Sequence, residues 1–295
     1  MENISYYIQN NPVNKHVEWI EYSKAITMLL VIISHCGYYS MNSIYGGVNY
    51  IPEGTVFCIV FHLIYQLVSL LYSFHMPLFM AISGMCYSIS SGKNLNYSCF
   101  VKKKFYRLMI PFLSVMIFFN LPVKYIYGYY DNSQSVVSDM FFGQFLAMDN
   151  GHLWFLLALF WISSIYYLID RCFGRYPMII LTCLLFVNIL TQCDYFGKGI
   201  ACSTHTLKYL FWYGLGANVF NFIDSKSKTN NMNIGLILIF CGTGLWITTK
   251  LLFHDCSEYM ILRYSKALLS NLVACCMGGG FWVFQNVLKS IQKRH

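Results

Sequence analysis

Apolar stretches of about one helix length recur along the whole chain, and short polar segments separate them. A helix needs about 20 mostly apolar residues to cross the hydrocarbon core of a bilayer. We therefore predict an all-α fold, a polytopic membrane bundle of about eight transmembrane helices whose boundaries are good to about 2–4 residues. The predicted spans are Ala25–Tyr39, Phe74–Ser90, Leu108–Tyr127, Leu153–Ile169, Pro177–Thr191, Leu207–Phe222, Ile234–Leu252 and Ala267–Val287.

The apolar run from Phe57 to Ile89 is too long for one span that stands upright in the bilayer. Two interpretations are open for its first half, Phe57–Leu71. This half is either a separate, partly embedded helix or a tilted extension that continues into the span before Pro77.

The composition implies that lipid is the main solvent of this chain. Hydrophobic residues make up 57% of the 295 residues and charged residues only 11%, whereas soluble domains carry about 25% charged residues. The 24 Phe and 24 Tyr suit the membrane interfaces. Residues 1–20 lack the apolar core of a cleavable signal peptide. We therefore expect a cytoplasmic N-terminal segment and targeting by the first span.

The basic residues indicate how the spans are oriented. If the N-terminus is cytoplasmic, 14 of the 20 Lys and Arg residues fall in cytoplasmic segments, as the positive-inside rule requires. We predict that both termini are cytoplasmic, in a multi-pass protein of the cell inner (plasma) membrane with a single domain over residues 1–295.

The net charge of +8 is explained by the orientation of the spans and by contact of the basic residues with the headgroups of the lipid bilayer. Nucleic acid is therefore not an expected partner. The six basic residues on the other side are Lys124, Lys198, Lys208, Lys250, Arg263 and Lys266.

Ionisable residues form a polar stripe along the first predicted span. Lys24 and His35 are 11 residues apart, which on a helix means about 20° apart in direction and about 16 Å along the axis. Glu21 precedes Lys24 by three residues and can pair with it. Such groups are costly in a membrane, and His can take a proton from a hydroxyl near neutral pH. For an isolated set, however, interfacial anchors and a satisfied polar His are the favoured interpretation.

The segment around Pro77 contains a second polar group. His75 lies two residues before Pro77, which frees a backbone carbonyl, and such a break is tolerated where it lines a polar cavity. Ser83 and Gly84 permit a close approach of another helix. The alternative is that His75 and Pro77 merely cap the start of a helix.

Two further segments lie at predicted span ends. Lys102, Lys103, Lys104 and Arg107 would attract phosphates at a cytoplasmic mouth, although ordinary positive-inside charge explains them equally simply. His152 and Trp154 open the next span, where a Trp alone indicates an interfacial belt residue. The 12 Cys show no CxxC pair or other metal spacing, so neither a metal nor a bound cofactor is expected.

Read together, these segments resemble the membrane acyltransferase-3 family, and within it most closely the fucose 4-O-acetylase-like sugar O-acetyltransferases. The family has a basic residue, ten residues and a His in its first helix, as Lys24 and His35 do here. Lys in place of Arg, with an acidic residue such as Glu21 before it, is typical of the fucose-acetylase-like branch. The other matching phrases are Phe74-His-Met-Pro-Leu-Phe79 with Ser83-Gly84, Lys104-Phe-Tyr-Arg107-Leu-Met-Ile-Pro111, His152-Leu-Trp154-Phe-Leu156 and Tyr209-Leu-Phe-Trp-Tyr-Gly214-Leu-Gly216.

The resemblance implies transfer of an acyl group from cytoplasmic acyl-CoA, usually acetyl-CoA, to a carbohydrate acceptor. The acceptor would be a sugar hydroxyl of a surface polysaccharide or of its lipid-linked precursor. The resemblance also implies His35 as the base or acyl relay, and Lys24, with its acidic neighbour Glu21, as the group that polarises or positions the acyl carbonyl. The residues implied to bind the donor are Lys103, Lys104 and Arg107, and those implied to line the pocket are His75, Ser83, His152 and Trp154.

The chain departs from the family at its C-terminus. The family usually has a final Gly-Lys-x-Ser-Leu element and a last helix, whereas this chain reaches Lys289–His295 without them, so we expect that helix to be missing. Two other functions stay open: a lipid-linked sugar transporter or flippase, and a non-catalytic scaffold of a polysaccharide assembly complex. The transporter is disfavoured because we find no inverted repeat. The sequence leaves the oligomeric state unknown.

Overall fold

The described part of the chain is helical apart from one short β-hairpin. A computed structural model describes residues 12–36, 40–43, 46–49, 55–89, 95–126, 128, 137, 153–193, 201–223, 232–253 and 260–292. The helices are α1 (Pro12–Cys36), α2 (Thr55–Ile89), α3 (Tyr97–Ile126), α4 (Trp154–Phe173), α5 (Pro177–Gln192), α6 (Ala201–Ile223), α7 (Met232–Leu252) and α8 (Met260–Gln292). The hairpin strands β1 (Ser40–Ser43) and β2 (Gly46–Asn49) pair antiparallel, with Ser40 opposite Asn49 and Ser43 opposite Gly46.

Each predicted span overlaps one of these helices, and five of the helices are long and apolar enough to cross a membrane. The chain is therefore a multi-pass membrane protein. Helix α5 is apolar but has only 16 residues, and the spans predicted on α1, α5 and α6 stay predictions, as does the cytoplasmic location of both termini. The five candidate spans are Cys58–Ile89, Tyr97–Ile126, Trp154–Phe173, Asn233–Leu252 and Met260–Val283.

Helix α2 runs without a break through Pro77 and has 35 residues, so it is about 52 Å long. The first half of the long apolar run is thus an extension of the span, and the alternative of a separate helix is wrong. His75 lies 20 residues after Thr55, well inside the helix. The expectation that His75 and Pro77 cap a helix start is therefore also wrong, because the apolar residues before them continue the same helix.

The helices form two compact units, and α2 contributes to both. The first unit contains α1, the hairpin, α2 up to Ile82, α7 and α8. Helices α7 and α8 pack along each other, and α1 packs against α8. Small residues allow the close α7–α8 approach, because a Cβ on Gly280 would lie 2.8 Å from the carbonyl oxygen of Gly235.

The second unit contains α2 from Ser83 onward together with α3, α4, α5 and α6 up to Phe222. Helix α2 meets α6 at Gly84, where a Cβ would lie only 2.0 Å from the Tyr213 carbonyl oxygen. One turn further on, Ser88 donates a hydrogen bond to the Ala217 carbonyl. The close helix approach predicted at Gly84 is confirmed.

A hydrogen-bonded aromatic cluster fills the interior of the second unit. Tyr87 of α2 donates to the Asp170 carboxylate of α4 at 2.9 Å. The ring of Tyr87 also packs edge-on against Tyr166, whose hydroxyl accepts a hydrogen bond from Asn218 of α6 at 2.9 Å. Three helices are thus joined by part-buried polar contacts.

We expect Gly84→Ala to destabilise the protein by about 3 kcal/mol or more, because the new methyl group meets backbone atoms that cannot move aside. The matched control is Gly244→Ala on α7, where an added Cβ meets nothing within 4 Å and the helix gains from Ala. Thermal unfolding in detergent measures both variants. Equal unfolding midpoints for the two would contradict the close contact.

We expect Tyr87→Phe to lower the free energy of unfolding by about 1–3 kcal/mol, because the Asp170 carboxylate loses its donor in a buried setting. Tyr106→Phe is the control, since Tyr106 is 58% exposed on α3. The same unfolding assay applies. Wild-type stability of the Tyr87 variant would show that Asp170 does not depend on this hydrogen bond.

Candidate functional site

Helix α1 presents a narrow buried stripe that consists mostly of small hydroxyl side chains. Ser23, Thr27, Leu30 and Ser34 are buried, and the exposed side chains lie on the opposite face. Thr27 donates to the Ser23 carbonyl at 2.7 Å, which satisfies its hydroxyl inside its own helix. This stripe allows α1 to pack closely in the first unit.

Lys24 lies on the flank of that stripe and is half-buried, whereas Glu21 is exposed. Helix α1 is continuous to Cys36. The Lys24 and His35 positions are therefore about 20° apart around the helix axis and about 16 Å apart along it. The two positions therefore share one face of the helix, as the spacing predicts. The His35 side chain lies outside the described residues.

His75 is the second ionisable group inside the first unit, and it is 1% exposed. Its Nδ1 lies 2.8 Å from the Leu71 carbonyl oxygen, and its ring meets Tyr72 edge-on at 4.9 Å. A carbonyl can only accept, so Nδ1 carries a proton and donates it to Leu71. Pro77 cannot donate to the carbonyl four residues before it, which leaves a second acceptor at Ser73.

The basic segment lies at the start of α3 and surrounds a π-helical turn. Lys102, Lys103 and Arg107 are exposed, and Lys104 is half-buried. The Ile110 amide donates to the Phe105 carbonyl, five residues back, and Pro111, which has no amide hydrogen for the Arg107 carbonyl, follows directly. Arg107 sits on this widened turn, and such turns occur frequently at functional sites.

An aromatic pair links this basic segment to α4. Phe100 stacks on Tyr167 with ring centroids 4.8 Å apart. The Lys104 ammonium lies 5.5 Å from the Phe100 centroid, and the Arg171 guanidinium lies 5.7 Å from the Tyr167 centroid. Arg171 of α4 therefore lies near the basic segment at the start of α3. Sequence reasoning assigned Arg171 only to topology, since no spacing rule connects it to Phe100.

A third cluster joins the starts of α4 and α6. Trp154 stacks on His205 with centroids 4.1 Å apart and planes inclined by 26°. Tyr209, one turn after His205, also lies parallel to Trp154, at 5.7 Å. Sequence reasoning missed His205, and its only signal was its position one turn before the aromatic-glycine segment that begins at Tyr209. His152, the neighbour predicted to share the pocket with Trp154, lies outside the described residues.

The electrostatic state of His205 follows from its surroundings. Burial, and then the positive charge of Lys208, lower the pKa of His205 to about 4. Its Nδ1 atom is buried and has no hydrogen-bond partner within the described part of the chain. The ring is therefore neutral near pH 7 and keeps an unused polar atom.

The predicted site residues thus fall into separate groups. Lys24 and His75 belong to the first unit, while Ser83, Lys103, Lys104, Arg107 and Trp154 belong to the second. Ser83 is half-buried beside Gly84. No three His, Cys, Asp or Glu side chains within the described ranges are placed to hold a metal ion.

Comparison with known proteins identifies one family. A family model described as an acyltransferase domain matches residues 17–295, almost the whole chain. No curated protein and no solved structure shows a significant match.

Proposed function

The chain belongs to the acyltransferase domain family, and from that premise we propose that it is an O-acetyltransferase of carbohydrate. In this proposal, an acetyl group moves from cytoplasmic acetyl-CoA to a sugar hydroxyl of a surface polysaccharide or of its lipid-linked precursor. The protein would act in the cell inner membrane, with both termini in the cytoplasm. That it is a membrane acyltransferase follows from the family and the spanning helices; donor and acceptor are the proposed part.

The observation that carries the proposal is the shared face of Lys24 and His35 on an unbroken α1. A half-buried ammonium is expensive in a membrane, so it points to a role that needs charge. Interfacial anchoring alone would leave Lys24 exposed, as Glu21 is. The buried stripe next to this face is polar at Ser23, Thr27 and Ser34, which suits a helix that borders a polar site.

The proposed chemistry uses these groups in order. His35 takes the proton of the acceptor hydroxyl while the hydroxyl oxygen attacks the thioester carbonyl. The Lys24 ammonium, about 16 Å from His35 along α1, attracts and positions the acyl donor before the attack, and Glu21 helps to orient Lys24. The carbon–sulfur bond then breaks, and the CoA thiolate leaves with the proton that His35 holds. The products are the acetyl ester and CoA.

The donor is proposed to bind at the start of α3. CoA carries phosphates, and Lys103, Lys104 and Arg107 supply the cations that would hold them. The parallel Phe100–Tyr167 pair, flanked by Lys104 and Arg171, adds a flat apolar surface between two charges. We further propose that His75, Ser83, His152 and Trp154 each have a role in acceptor binding, the polar groups by bonding to hydroxyls and the indole by contact with a sugar ring.

We expect His35→Ala to reduce acetyl transfer by about 10²-fold or more, because general base catalysis contributes that much. The measurement is the acetyl content of the surface glycan in deletion cells complemented with each variant, at equal membrane abundance. Ile33→Ala is the matched control, since Ile33 is exposed on the same helix. Wild-type acetylation with the His35 variant would remove His35 from the mechanism.

We expect Arg107→Ala to raise the apparent KM for acetyl-CoA by about 10-fold or more, because a charge-assisted hydrogen bond to phosphate is lost. The increase should shrink at high salt, which already screens exposed charges. Arg175→Ala tests whether any exposed cation of the region has this effect, as Arg175 lies in the turn after α4. Equal donor KM values for both variants and the wild type would leave Arg107 with a topological role only.

A further inference from the structure

His205 of α6 has a polar atom that the fold does not satisfy. Its Nδ1 is buried without a partner among the described residues. Burying a polar atom without a hydrogen bond is unfavourable, and native proteins keep such atoms where a ligand, an ion or a water completes them. The ring is not placed there by loose packing, because Trp154 stacks on it at 4.1 Å.

Neighbouring contacts hold the ring in this position. Tyr209 lies beside His205, with ring centroids 6.4 Å apart and planes within 19° of each other, so both rings face the same side of Trp154. On the next turn, the Lys208 carbonyl accepts a hydrogen bond from Asn188 of α5. Gln192 in turn donates to the Asn188 side chain at 2.7 Å. Trp154 of α4 thus holds the plane of the imidazole, and Asn188 of α5 holds the α6 backbone one turn further on, which is typical of a prepared binding group.

The chemistry of this cluster restricts the ligand. A neutral imidazole offers one donor and one acceptor and carries no charge, so it matches a hydroxyl better than an anion or a cation. Aromatic rings around a few fixed polar atoms are the usual lining of sites for uncharged ligands. Burial, and then the positive charge of Lys208, lower the pKa of His205 and so favour the neutral ring.

We propose that His205 and Trp154 form a subsite for the acceptor, in which Nδ1 of His205 hydrogen-bonds to a hydroxyl of the carbohydrate. This inference rests on the proposed function, since it takes the acceptor to be a carbohydrate. It assigns His205 to binding and positioning of the acceptor, and the bond-making steps remain with His35 and Lys24.

The test compares two substitutions at this position in the full-length protein in detergent. His205→Phe keeps an aromatic ring on Trp154 but removes Nδ1, and His205→Asn keeps a polar atom close to the place of Nδ1. The acceptor used is the surface polysaccharide of the producing cells after mild alkaline removal of its esters. The donor is acetyl-CoA.

We expect His205→Phe to raise the KM for the polysaccharide by about tenfold, the effect of one lost hydrogen bond, with unchanged acetyl-CoA KM. Its thermal unfolding midpoint should equal or exceed that of the wild type, because an unsatisfied polar atom is gone. His205→Asn should restore most of the acceptor KM. Tyr213→Phe is the matched control, since the Tyr213 hydroxyl is also buried without a partner, and it should leave both KM values unchanged.

Three outcomes overturn this inference. If the wild type is active and His205→Phe leaves the acceptor KM unchanged, the subsite is contradicted but the proposed acetyl transfer is not. A lower unfolding midpoint in that variant together with an unchanged KM indicates that Nδ1 binds a structural water. Absence of acetyl transfer by the wild type overturns the proposed function and this inference together.

Discussion

Every buried polar group in this chain must find its partner inside the protein, because the hydrocarbon region of a membrane supplies no water. The described backbone is therefore almost entirely helical, which satisfies amides and carbonyls locally. Hydroxyl side chains follow the same rule. Thr27, Ser164 and Thr191 each donate to the carbonyl four residues before them. Other polar groups bond across helices and so connect them, as Tyr87 of α2 does with Asp170 of α4.

Three ionisable groups stand out against this background. Lys24 remains half-buried on a helix whose opposite face is apolar. His75 is buried and donates from Nδ1 to a carbonyl of its own helix, near the point where Pro77 releases a carbonyl. Nδ1 of His205 is buried without a hydrogen-bond partner among the described residues. A protein in lipid gains no stability from such groups, which makes a role in binding or catalysis the simplest physical reason for each.

The start of α3 shows how a local backbone feature and tertiary contacts combine at one place. A π-helical turn carries Arg107, and Pro111 just after it leaves the Arg107 carbonyl without its usual amide donor. The stacking of Phe100 on Tyr167 then brings Arg171 of α4 to the same region. Charge density suitable for phosphates thus arises from two helices, although only one of them carries a basic run in its sequence.

Properties that depend on one helix were determined by the sequence. Hydropathy summed over consecutive residues predicts where helices lie, and the 3.6-residue period places Lys24 and His35 on one face. The small size of Gly84 likewise predicts a close approach. Only the tertiary structure decided which helices meet: that Trp154 stacks on His205, and that Arg171 approaches the Phe100–Tyr167 pair. The physical reason is that contacts between helices depend on complementary packing of surfaces distant in sequence, whereas periodicity describes each helix alone.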